Sequence, residues 1–142
     1  MNKKITSILF FLFIFLCSDY IHAQDYKYIE IFDPKENRVV KTVKLNQEIQ
    51  AMVKGWITNI DGLHGKFDPI TDDGYAIKIP LDPPIKVQCE WLNATVDIVY
   101  ILIPEKDEPF YIMFEDNNRA LCFHFNGDIN LLSDKLNFKL KK

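Results

Sequence analysis

The sequence predicts an α+β fold: an antiparallel sheet of six to seven strands with one main amphipathic helix packed on one face. Three observations carry this. Apolar residues recur with period two over most of the chain. A single long stretch switches to helical spacing, and short turn-rich segments separate the strand-like runs. Parallel pairing would need crossovers of about a dozen residues or more, so neighbouring strands pair antiparallel.

Tyr26 to Phe32 and Arg38 to Leu45 are rich in β-branched and aromatic residues, with Asp33-Pro34-Lys35-Glu36-Asn37 between them. Pro34 presets a turn dihedral, and Asn37 tolerates the left-handed conformation that closes a bulged hairpin. Ile49, Met52, Val53, Trp56, Ile57 and Ile60 then fall three and four apart, on one face of a helix. Asn46 reads as its N-cap, Glu48 suits its first turn, and Gly62 and Gly65 are expected to stop it. Gly55 weakens the helix by about 1 kcal/mol relative to alanine, and is expected to let it approach the sheet closely. Trp56 is expected to anchor the core.

Period two returns at Tyr75, Ile77, Ile79 and Leu81, followed by a turn or kink at Asp82-Pro83-Pro84. Ile85, Val87, Cys89 and Trp91 alternate as a further strand, and Val96 to Ile103 is nearly continuously apolar, as in a central strand covered on both sides. A charged, proline-flanked loop covers 104–109. Phe110 to Phe114 and Leu121 to Phe125 then form a hairpin about Glu115-Asp116-Asn117-Asn118. Ile129 to Leu136 closes the chain as a short helix, with Phe138 and Leu140 packing beneath it. The expected order is β-β-α-β-β-β-β-β-α.

A length of 142 residues fits one domain, and 48% apolar with 26% charged residues excludes disorder. A net charge of −3 without a clustered basic face speaks against a nucleic-acid partner. The start has its own pattern. Lys3 and Lys4 precede an apolar run from Ile5 to Cys17, polarity rises at Ser18 and Asp19, and Ala23 is a small residue before Gln24. That is the layout of a secretory signal peptide over 1–23, cleaved between Ala23 and Gln24, leaving a single domain over 24–142. Two alternatives remain open at the sequence level: an uncleaved anchor, and a lipid anchor on Cys17, although Leu16 is large for a residue preceding an acylated cysteine. The membrane is otherwise not an expected partner.

Export permits a disulfide, but strand parity puts Cys89 with Val87 and Trp91 on the core face and Cys122 with Ala120 and His124 on the other. A one-residue register shift would reverse this. Catalytic raw material is sparse. After the leader, Ser133 is the one serine, and Cys122 with His124, two apart on a strand, form at best a loose thiol–imidazole pair. His64, His124 and the cysteines show no metal-ligand spacing. Asp68 to Gly74 fails the calcium-loop pattern, because Pro69 and Thr71 stand where ligands belong. No metal or cofactor is therefore expected. Asn93-Ala94-Thr95 matches a glycosylation tripeptide of the kind that occurs by chance.

The most informative segment is the loop Gly62 to Asp73, long enough to carry function. Its residues His64, Phe67, Asp68, Asp72 and Asp73, with Tyr75 beside it, form the expected partner surface. Lys66-Phe67-Asp68-Pro69-Ile70, Gly74 to Pro84 and Ile103-Pro104-Glu105 together resemble uncharacterised short exported proteins of Gram-positive, spore-forming bacteria. That resemblance implies a secreted or cell-envelope location and no particular mechanism. The expected function is an exported, non-enzymatic module that binds a protein or cell-envelope component. The alternatives are a small inhibitor or immunity-type protein and a carboxylate-based hydrolase.

Overall fold

The computed structural model describes residues 27–65 and 72–140. The expected cleavage point at Ala23 and Gln24, the alternative anchor Cys17, and Phe67 and Asp68 lie outside the described residues. β1 (Tyr28–Asp33) and β2 (Arg38–Lys44) form the expected hairpin, with Asn37 at φ 51° and a register shift between Ile31 and Phe32. Buried Asp33 closes its turn, its Oδ1 accepting from the N–H groups of Lys35 (2.9 Å) and Glu36 (3.2 Å).

α1 (Gln47–Thr58) begins as expected: Asn46 is extended and its Oδ1 accepts from Ile49 N–H at 2.9 Å. Its end differs from expectation, because Gly62 and Gly65 lie beyond it. Side chains take the last carbonyls instead. Thr58 Oγ1 donates to the Lys54 carbonyl, and Asn59 Nδ2 donates to that of Gly55 at 2.8 Å. Asn126 Nδ2 reaches the Trp56 and Asn59 carbonyls, at 2.9 Å each. Gly55 does not face the sheet either: a Cβ built there meets nothing within 4 Å. The close approach is at Gly127, where a Cβ would come within 2.6 Å of the Trp56 ring. Trp56 is half-buried, edge-on to Phe125 at 5.5 Å.

β3 (Tyr75–Gln88) is one long strand where two were expected, so the order becomes β-β-α-β-β-β-β-α. The prolines explain the difference. β1 accompanies β3 only over Ala76–Lys78, so the Asp82-Pro83-Pro84 stretch needs no amide for that neighbour. It is absorbed as an irregularity in the ladder with β4 (Asn93–Ile103), whose register shifts between Pro80 and Ile85. Trp91 belongs to the following turn, which Cys89 N–H closes on the Leu92 carbonyl at 2.8 Å. β4 is central, yet consecutive burial is confined to Ile101–Ile103. From Asn93 to Tyr100 no two neighbouring residues are both buried, which corrects the expectation of cover on both sides.

β5 (Phe110–Phe114) and β6 (Ala120–His124) complete a six-stranded antiparallel sheet, ordered β2-β1-β3-β4-β5-β6. α2 (Ile129–Leu136) is capped by Asp128, which accepts from the N–H groups of Asn130 and Leu131, and ends at left-handed Asn137. Register places Ile31, Ile77, Ile101, Tyr111 and Phe123 side by side across the inner face, each with no solvent exposure. Ile49, Val53 and Ile57 of α1 and Leu132 and Leu136 of α2 join them in one core. No helix among the described residues is long and apolar enough to cross a membrane.

Candidate functional site

The same register defines the opposite face of the sheet. One row reads Val39, Phe32, Ala76, Leu102, Phe110 and His124, and the next reads Thr42, Glu30, Lys78, Tyr100, Ile112 and Cys122. A face turned away from both helices is normally polar in an antiparallel sheet. Here the first row is almost wholly apolar. Between the two rows lies a groove of about 240 Å³ lined by Glu30, Phe32, Val39, Ala76, Lys78 and Tyr100. Val39 is 42% exposed at one wall, and Phe114, also 42% exposed, meets Tyr100 edge-on at 6.1 Å on the far side. Glu30 and Lys78 pair at 3.4 Å, a solvent-screened contact that sets a neutral polar spot in an apolar groove.

The expected partner residues separate. His64 lies on the outer face, stacked on Phe110 at 4.6 Å and edge-on to His124 at 5.5 Å. Its position follows from backbone pairing: Leu63 bridges to Phe123, His64 N–H donates to the Cys122 carbonyl at 2.9 Å, and His124 N–H donates to that of Gly62 at 3.0 Å. The start of the loop therefore closes the β6 edge. Asp72 is exposed, whereas Asp73 Oδ1 accepts from Glu105 N–H at 2.9 Å and so helps shape the 104–109 loop. Tyr75 is buried, edge-on to Phe138 at 5.1 Å, and offers no surface to a partner.

Cys89 and Cys122 are both free: Cys89, just past the end of β3, packs against the core, and Cys122 lies on the outer face of β6. Burial pushes the Cys122 thiol above its ordinary range, which holds it in the weakly nucleophilic protonated form. Ser133 Oγ accepts from Leu140 N–H at 3.3 Å, a structural use. Among the described residues no group of His, Cys, Asp or Glu is arranged to hold a metal ion.

A depression of about 850 Å³ lies between the 104–109 loop and the start of α2. Its floor includes Ile103, Phe125, Ile129 and Leu140, and its rim Glu105, Asp107, Glu108 and Asp128. Glu105 is held by Lys35 at 2.7 Å and Asp128 by the amides it caps. Glu105 and Asp128 thus serve the loop and the helix.

The groove was within reach of the sequence. Phe32 and Tyr100 are apolar on the parity opposite to Ile31 and Ile101, and large apolar residues on both parities of adjacent strands signal a second covered or functional face. Compared with protein families, curated proteins and solved structures, the chain finds no match.

Proposed function

We propose that this chain is an exported, non-enzymatic binding module that takes an apolar side chain of a partner protein in the outer-face groove. The groove itself supports the reading: aromatic walls and one internally neutralised ion pair, on a sheet face that both helices leave open. Such walls bind by burial and ask no chemistry of their lining. Export rests on the leader pattern of residues 1–23 and places the partner at the cell envelope or outside the cell.

Photo-crosslinking tests the reading directly. A benzoylphenylalanine is placed in the full chain at Val39 and, as a control, at Thr58, which is exposed at the end of α1. The expected result is one identified protein joined through position 39 and not through 58, with Tyr100→Ser suppressing the product. Equal products from both positions, or none from position 39, overturn it. Intact mass of the exported protein, expected to begin at Gln24, tests the leader separately.

A further inference from the structure

Asn126-Gly127 is the one Asn-Gly pair in the chain. The dipeptide is chemically labile, because glycine has no side chain to shield its backbone nitrogen from the neighbouring carboxamide. The Gly127 nitrogen attacks Asn126 Cγ and gives up its proton, the Cγ–Nδ2 bond breaks, and ammonia leaves. Water then opens the resulting succinimide at either carbonyl, giving aspartate or isoaspartate. The sum is asparagine plus water to aspartate plus ammonia, with no oxidant, reductant or cofactor.

The fold holds this carboxamide at both of its polar atoms. Asn126 Oδ1 accepts from the buried Tyr111 hydroxyl at 2.7 Å, and Nδ2 donates to the carbonyls of Trp56 and Asn59 at 2.9 Å each. Both hydrogens of the amide are thereby used. Ring closure has to turn Cγ toward the Gly127 nitrogen, which pulls the side chain off all three contacts. Gly127 itself lies against the Trp56 and Phe125 rings, where an added Cβ would come within 2.6 and 2.7 Å. The backbone around the attacking nitrogen therefore has little room to shift.

The product does not fit the same place. A carboxylate donates to neither the Trp56 nor the Asn59 carbonyl, and it sets negative charge against two carbonyl oxygens. The contact that ties the end of α1 to the segment after β6 is then lost.

We infer that Asn126-Gly127 is a latent deamidation site, kept closed by Tyr111 and the end of α1, whose conversion irreversibly frees that helix end from the sheet. The inference is independent of what the outer-face groove binds.

Incubation at pH 8 followed by peptide mapping measures conversion at position 126 in the full chain. A free peptide spanning 123–129 gives the unrestrained rate. The folded chain is expected to convert roughly a hundredfold more slowly than the peptide, since three hydrogen bonds must open together. Tyr111→Phe frees one contact and is expected to speed conversion about fivefold. Ile29→Val is a destabilisation of similar size on β1, three strands away from β6, and is expected to leave the rate unchanged. Converted protein, separated by anion exchange on its added negative charge, is expected to exchange its α1 amides faster, with those of β3 and β4 unaltered. Equal rates in chain and peptide, equal acceleration by Ile29→Val and Tyr111→Phe, or unaltered α1 exchange after conversion overturns the inference.

Discussion

Tyr111 and Asn126 join the sheet to the end of α1. The Tyr111 hydroxyl donates to Asn126 Oδ1 at 2.7 Å, and Asn126 Nδ2 donates to the carbonyls of Trp56 and Asn59. One side chain thus satisfies a buried phenol and bonds two carbonyls at the helix end, of which that of Trp56 also accepts from the Asn59 N–H at 3.1 Å.

Asn126→Ala is expected to destabilise the fold by about 1–3 kcal/mol, because it strands a buried hydroxyl and removes a hydrogen bond from each of two helix-end carbonyls. Tyr111→Phe, which removes one donor and leaves the helix end satisfied, is expected to lose about 1 kcal/mol. Urea unfolding of both variants decides the matter. Equal losses would show that the helix-end contacts contribute nothing.

Burial holds the Tyr111 phenol well above its ordinary range, and nearby Asp61 adds to the shift while the Asn126 hydrogen bond opposes it. A folded-state pKa raised above the unfolded value means that the native state keeps its proton longer. This contribution is whole below about pH 10 and is lost as pH climbs toward the folded value, at up to about 1.4 kcal/mol per pH unit. Stability measured from pH 8 to 11 is expected to fall more steeply in the native protein than in Tyr111→Phe. Parallel profiles would refute this.

Two glycines should respond oppositely to alanine. Gly55 is an exposed helical position with open space around its Cα, so Gly55→Ala is expected to stabilise by about 0.5–1 kcal/mol. Gly74 has φ +71° and lies where a Cβ would come 1.8 Å from the Ile103 carbonyl oxygen. Gly74→Ala is expected to cost more than about 3 kcal/mol. Thermal unfolding distinguishes the two, and a tolerated Gly74→Ala would mean that the β3–β4 junction yields.

Cys122 is expected to react with iodoacetamide at pH 8 more slowly than a free model thiol, because burial raises its pKa and depletes the thiolate. Mass-resolved alkylation kinetics measure this. A rate above that of the model thiol would signal an activating neighbour and reopen the pairing with His124.

The β1–β2 hairpin, the Asn46 cap and the apolar stripe of α1 were legible because each depends on residues within a few positions of one another: turn dihedrals, one side chain reaching an amide three residues on, and a repeat of 3.6. The parity of Cys122 was legible for the same reason, since alternation is a local property, whereas Cys89 falls in the turn after β3. The end of α1 was not, because glycine is only one way to satisfy terminal carbonyls and Asn126 arrives from far along the chain. The loop behaved similarly. His64 and Tyr75 were grouped by proximity in sequence, whereas the β6 edge draws one to the outer face and the core takes the other.

Local pattern alone settles that this chain alternates, where it turns and which stripe of its long helix is apolar, since those are energies of neighbouring residues. Which strands stand side by side, which edge stays open and where Phe32, Val39 and Tyr100 meet are settled by pairing between distant segments. Register converts separate apolar residues into one groove, and no single strand contains that information.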